Sequence, residues 1–298
     1  MAKEPSKKKK RKKRQRWPLI LVFLLGFGIM MYPVISRIYY ETEASSAVTD
    51  FDTTVSDIDQ EEIDRRLGLA YAFNDALVSN TLSDPYSEDH KAGIAEYARM
   101  LEVHEKMGYV KIPKIGVQIP MYAGTGEEVL QKGIGHLEGT SLPVGGNSTH
   151  SVLTAHRGLP NARLFSQLDQ LQIGDKFYVH NIGGTMAYQV DQIKVIEPSD
   201  FSDLLVVPGH DYVTLLTCTP YMINSHRLIV RAHRVEYIPE IDEKSIAENE
   251  AAFFYKYAFY ITFGILLFVL LILLIGYLKK KRALKRAKNA QLVEKEKE

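Results

Sequence analysis

One cysteine, Cys218, and one tryptophan, Trp17, are all that the 298 residues contain of those two types. With a single thiol no intramolecular disulfide can form and no cysteine-based zinc cluster can be assembled. A His-Glu-x-x-His pair and a Walker-type glycine-rich phosphate loop are also missing, which removes the usual metalloprotease and nucleotide-driven chemistries; no metal and no other cofactor is expected. No internal repeat stands out. Net charge is nearly absent as well, since 37 Lys and Arg face 36 Asp and Glu for a formal +1.

That balance hides a segregation. Residues 1–16 carry a net +9 and residues 279–298 a net +6, leaving −14 on the 262 residues between them. Basic ends are one mark of nucleic-acid binding, but each of these lies directly beside an uncharged apolar run, and the positive-inside rule accounts for them better. The membrane, and no nucleic acid, is therefore the expected partner of the two ends. The runs are Trp17–Ser36 and Tyr257–Leu278, of 20 and 22 residues. Twenty helical residues rise about 30 Å, the thickness of a bilayer's hydrocarbon core. The expected topology has two membrane spans, both tails in the cytoplasm and residues 37–256 outside the cell. A cleaved secretory signal is the alternative for the first run, with Ala44, Ser45, Ser46 and Ala47 as small residues for a peptidase.

After the first run, residues 41–57 are acidic and rich in Ser and Thr, as in a tether or loop. Asp57 and Gln60 suggest a variant capping box for an amphipathic helix over 58–79, carried by Ile63, Leu67, Ala70, Tyr71, Leu77 and Val78. A turn-forming cluster at Asn80–Asp89 follows, and a short helix is expected over 93–103. From Tyr109 the pattern changes to seven strand-like pieces: 109–115, 117–122, 151–155, 176–180, 186–197, 212–217 and 227–237. Residues 160–171 read as a helix between strands, with Leu164, Leu168 and Leu171 on one face. Closing so many strands into a barrel hides their edges. The expected fold is mainly β, a barrel of about seven or eight strands with peripheral helices, flanked by two transmembrane helices.

The segment with the sharpest chemical content is Tyr212-Val213-Thr214-Leu215-Leu216-Thr217-Cys218-Thr219-Pro220, a β-rich run that ends in the lone cysteine and a proline. A thiol at a strand's end is held by rigid backbone yet reachable from a groove, which suits a nucleophile; the bland alternative is a buried hydrophobe. Nine residues on, Arg227 opens the next strand, and a hairpin-like return would set it beside Cys218; otherwise it is a solvated surface charge. His156, in Thr154-Ala155-His156-Arg157-Gly158, closes an earlier strand and stands at a rim. His226 is its main competitor among the nine histidines.

These residues resemble the sortases, transpeptidases on the outer face of Gram-positive membranes. The Thr-Leu-x-Thr-Cys strand, its downstream Arg and the upstream His look like that family's signature over about residues 109–237. The resemblance implies catalytic roles for Cys218, His156 and Arg227. The second apolar run and Asp84-Pro85-Tyr86 narrow it to class C, the pilus-polymerising sortases, in which an Asp-Pro-aromatic lid loop precedes the barrel. Tyr86 stands where Trp or Phe is more usual. In the class an Asp of the lid pairs with the catalytic Arg and the aromatic covers the Cys.

On this resemblance the chain divides into a basic cytoplasmic tail (1–16), a transmembrane helix (17–36), a helical region with the lid loop (37–108), a sortase β-barrel catalytic domain (109–238), a linker (239–256), a second transmembrane helix (257–278) and a basic tail (279–298). The implied substrates are pilin subunits bearing a sorting signal of the Leu-Pro-x-Thr-Gly type, cleaved between Thr and Gly through a thioester and joined through a lysine. A sortase that anchors proteins to the cell wall and a non-catalytic membrane-tethered scaffold are the alternatives.

Overall fold

The computed structural model describes residues 17–77, 100–159 and 162–295. Contacts divide the chain into two units, residues 1–236 and 237–298. The first holds eight strands in one closed barrel of order β1-β2-β3-β4-β7-β8-β6-β5: β1 (Lys106–Ile112), β2 (Val117–Ala123), β3 (Ile134–His136), β4 (Thr149–Thr154), β5 (Lys176–Asn181), β6 (Gly184–Ile196), β7 (Asp211–Thr219) and β8 (His226–Val235). The β2–β3 and β4–β7 pairs are parallel and the other six antiparallel, with β1–β5 closing the ring. All seven strand-like pieces read from the sequence are strands, with shifted ends. The eighth, β3, is a three-residue strand containing Gly135, too short and too weakly patterned to be seen in sequence. Pro220 ends β7 as expected, two residues later than Thr217.

Side-chain alternation along β7 explains the two layers of core. Val213 and Leu215 join Val110, Ile112, Met121, Leu153, Phe177, Tyr188 and Val230 inside the barrel. Leu216 faces the other way, into a smaller cluster with Leu137, Val152, Ile196, Leu204 and Ile229. Residues two apart on a strand share a face, so Cys218 lies on Leu216's side, outside the barrel wall. Ile229 puts Arg227 on the same side of β8.

Several expectations about the helices change. Helix α1 runs unbroken over Trp17–Ser56, so the acidic stretch 41–57 is not a loose tether. Beyond Pro33 the segment contains neither glycine nor proline. Thr42, Thr49, Thr53 and Thr54 return their hydroxyls to carbonyls four residues back. The acidic side chains have barrel partners: Asp50 accepts from Lys106 at 2.7 Å and Asp52 from Tyr109 at 3.2 Å. Val48 and Phe51, one helical turn apart, are buried in the barrel's core cluster, each worth about 1.5–3 kcal/mol by its burial. Helix α2 is Gln60–Ala76, shorter than expected, and its N-cap Asp59 makes no side-chain cap, so the capping box expected from Asp57 is not formed. Asn74 docks it by exchanging two hydrogen bonds with the Leu142 backbone, at 2.7 and 3.2 Å.

The expected helix over 93–103 falls mainly outside the described residues. Its last three residues, 101–103, are not helical, and Val103 bridges back to Lys106. Between β4 and β5 the only helical turn among the described residues is the 3-10 turn Leu168–Gln170. Leu164, at φ 36°, has a left-handed backbone that a continuous helix cannot contain. A six-residue helix, α3 (Glu127–Lys132), lies between β2 and β3.

The second unit is one helix, α4 (Pro239–Lys295). It begins well before the apolar run and takes in the whole of 239–256, read above as a linker. Pro239 suits a first helical position, Glu240 and Asp242 sit in the positive first turn, and the Asp242 carboxylate accepts the Ile238 backbone N–H at 2.8 Å. Within α4, Thr262–Leu284 is long and apolar enough to cross a membrane, and it is the one such segment among the described residues. Two membrane helices are thus an expectation of which the structure shows one candidate.

Candidate active site

Two of the sequence-selected residues lie on adjacent strands, and the third follows the strand on the far side of β7. In the antiparallel β7–β8 ladder, Cys218 lies directly opposite Arg227; such cross-strand pairs have Cβ atoms about 4.5–5.5 Å apart. Both side chains are buried, at 6% and 7% exposure. On the other side of β7 runs β4, parallel to it, with Thr154 abreast of Leu216. His156 stands two residues past Thr154, in the loop that leaves β4 alongside β7. Its backbone is fixed from both sides: the Ala155 N–H donates to Leu216 O at 3.2 Å, Thr217 Oγ1 donates to Ala155 O at 2.7 Å, and the Phe165 N–H donates to His156 O at 3.2 Å.

The surroundings hold these groups in place. Arg227 Nη1 donates to the carbonyls of Asn224 and His226, at 3.0 and 3.1 Å, so its guanidinium braces the loop that follows β7. His156 Nε2 lies 3.3 Å from Glu127 Oε2 of α3. Arg157 spans the mouth of the site, donating to Thr219 Oγ1 at 2.9 Å and pairing with Asp169 at 2.9 Å. Gly158 has φ +96°, and a Cβ there would stand 3.0 Å from the Tyr221 ring, so a side chain would be strained and crowded at that turn.

The competing histidine goes elsewhere. His226 is opposite Thr219 on β8, one residue out of phase with Arg227, and its ring contacts Glu197 at 3.1 Å and the Ser225 hydroxyl at 2.8 Å. Other histidines are walled in: burial holds His136, His150 and His180 down at about 4, each in the neutral form at pH 7. Asp84, Pro85 and Tyr86 lie outside the described residues. Sequence reasoning missed Glu127, which reaches the site only through the fold, and gave Arg157 no role although it adjoins His156.

The arrangement offers a thiol, an imidazole and a guanidinium at one outer edge of a rigid sheet. Among the described residues no group of His, Cys, Asp and Glu is set to hold a metal ion. Two clefts, of about 200 and 670 Å³, open between α1 and the β2 side of the barrel; neither is lined by Cys218, His156 or Arg227.

Comparison with known proteins agrees with this geometry. The sortase domain family matches residues 110–235. The crystal structure of sortase C-1 from Streptococcus pneumoniae is 65% identical, with a TM-score of 0.63 over 65% of this chain and 100% of that one. The pilus-related sortase C of group B Streptococcus is 60% identical, with a TM-score of 0.62 over 64% and 98%. Sortase D of Bacillus subtilis is 27% identical over 120 residues, 40% of this chain; the chain spans 58% of that curated relative's length. The chain belongs to the sortase family of cysteine transpeptidases, and within it resembles the class C members most directly among these relatives.

Proposed function

We propose that the protein is a pilus-polymerising sortase, with Cys218 as nucleophile, His156 as proton carrier and Arg227 as oxyanion donor. The observation that carries this reading is the Cys218–Arg227 rung, with the chain at Ala155, next to His156, tied to β7 by its hydrogen bonds with Leu216 and Thr217. The substrate is a pilin with a Leu-Pro-x-Thr-Gly-type sorting signal.

The Cys218 sulfur, having passed its proton to His156, attacks the Thr carbonyl carbon and a tetrahedral oxyanion forms. Arg227 donates hydrogen bonds to that oxygen. As the C–N bond to Gly breaks, His156 returns the proton to the departing amine and an acyl thioester remains on Cys218. A lysine amine of the next pilin then attacks the thioester carbonyl, its proton passes through His156 to the departing Cys218 sulfur, and an isopeptide bond forms. One amide replaces another, so the exchange is close to energetically neutral.

The pilus assignment draws on the 57–65% identity to sortase C structures from streptococci. The site is proposed to face outward from the membrane, with two spans and both basic tails in the cytoplasm. The Thr262–Leu284 segment supports the second span, and the charge-free run 17–36 beside a net +9 tail supports the first.

Product size tests the reading. The protein incubated with purified pilin should yield a ladder of covalent oligomers, and Cys218→Ala should yield none. A single wall-peptide adduct in place of the ladder would make this an anchoring enzyme. An unaltered pilin would remove the transpeptidase assignment.

A further inference from the structure

We infer that Glu127 is a positioning residue for His156, an inference that rests on the catalytic reading just proposed. Its carboxylate is shared between two partners. Oε2 lies 3.3 Å from His156 Nε2, and Oε1 accepts a hydrogen bond from Gln131 Nε2 at 2.8 Å, one helical turn along α3. Gln131, Glu127 and His156 thus form a line of contacts in which an amide orients the carboxylate by a hydrogen bond, and the carboxylate stands within ion-pair distance of the imidazole without hydrogen-bond geometry to Nε2. A third group steadying the base is the general logic of activated nucleophile sites.

The platform beneath Glu127 is built rather than incidental. Just before α3, Thr125 gives both its backbone N–H and its hydroxyl to the two oxygens of Glu138, at 3.3 and 3.1 Å. That clamp ties the start of α3 to the segment joining β3 and β4, the strand that leads to His156. Leu130 anchors the helix in the core at 2% exposure, and the Gly126 carbonyl receives the N–H groups of Val129 and Leu130 at 2.9 and 3.0 Å. At Gly135, the middle of β3, a Cβ would meet the Gly124 carbonyl at 2.4 Å, so the two chain segments flanking α3 are pressed together. A six-residue helix held this firmly fixes the backbone position from which Glu127 extends.

Its chemical consequence follows from charge. When the Cys218 proton moves to His156, the ring becomes cationic, and a carboxylate 3.3 Å away stabilises that form by its charge. The effect is moderated by water, since the Glu127 side chain is 53% exposed and that of His156 20%. Glu127 acts through the imidazole, not on the substrate, so its contribution belongs to the rate of acylation rather than to peptide binding.

The test uses the full chain and a fluorogenic sorting-signal peptide, with kcat and KM measured for Glu127→Gln, Glu127→Asp and Gln131→Leu. Glu127→Gln should lower kcat about fivefold, an exposed ion pair's effect, with KM unchanged within about twofold. Glu127→Asp should recover part of the loss and Gln131→Leu should show a smaller one. In a His156→Ala background Glu127→Gln should cost nothing further, because the group through which it acts is gone. Wild-type kcat in Glu127→Gln would overturn the inference, as would an equal loss with and without His156. Those outcomes leave the catalytic reading intact; it fails separately if His156→Ala and Cys218→Ala both retain acylation.

Discussion

Arg227 and Arg231 lie on the same face of β8, four residues apart, in two regions of the sheet that differ in what surrounds the charge. Arg231, opposite Thr214, pairs with Asp191 at 3.0 Å and lies over the Tyr212 ring at 4.4 Å. Beside it His150 is bonded to Thr214 Oγ1 at 2.7 Å and to the Leu205 carbonyl at 2.9 Å. Arg227, opposite Cys218, is braced by the carbonyls of its own loop. Neutral carbonyls orient a guanidinium without cancelling its charge. One end of the ladder spends its charged groups on the framework, whereas the other keeps a thiol, an imidazole and an arginine at a strand edge.

Breaking the two arginines in turn probes that contrast most strongly. Arg227→Ala should slow acylation by about 10²–10³-fold, the usual effect of losing an oxyanion donor, as read by single-turnover peptide kinetics. Arg231→Ala should leave that rate within about twofold and instead cost on the order of 1–3 kcal/mol of stability in urea, through loss of a half-buried ion pair and a ring contact. Equal kinetic losses would erase the distinction.

Acid titration should sharpen it next. Burial holds His136, His150 and His180 near 4, below the ordinary value of about 6.5. The unfolded chain therefore binds these protons first. Their neutral-state contribution is fully present above pH 6.5 and is lost as the pH falls from about 6.5 towards 4, by at most on the order of 3 kcal/mol per histidine. Melting temperatures should fall over that window, and His150→Gln should flatten part of the decline. A flat profile between pH 7 and 4.5 would contradict the buried, neutral assignment.

The smallest expected effect is that of the rejected histidine. His226 contacts Glu197 and Ser225 at an exposed position, so His226→Ala should change acylation by less than about twofold where His156→Ala lowers it by about 10²–10⁴-fold. A large loss would return His226 to candidacy.

The barrel was legible because its strands alternate Val, Ile, Tyr and Thr between clear turns, and the candidates Cys218, Arg227 and His156 stood out because each lies close to a strand end. What escaped was set by tertiary contact. The acidic stretch 41–57 looks like a tether in isolation; it is helical because Val48 and Phe51 find the barrel core and Asp50 and Asp52 find Lys106 and Tyr109. Residues 160–171 have helical spacing, but Leu164 takes a left-handed turn. Glu127 is 29 positions from His156 in sequence, and no local pattern marks it; a short helix between β2 and β3 brings the two together.

The account rests on Cys218 forming a bond to the sorting signal. Intact-mass analysis after acid quenching of the protein with a Leu-Pro-x-Thr-Gly peptide should show one acyl adduct on Cys218 whose mass lacks the residues after Thr. The adduct should disappear in Cys218→Ala and be released by hydroxylamine. An unmodified wild-type protein with a cleaved peptide, or an adduct that persists in Cys218→Ala, would contradict it.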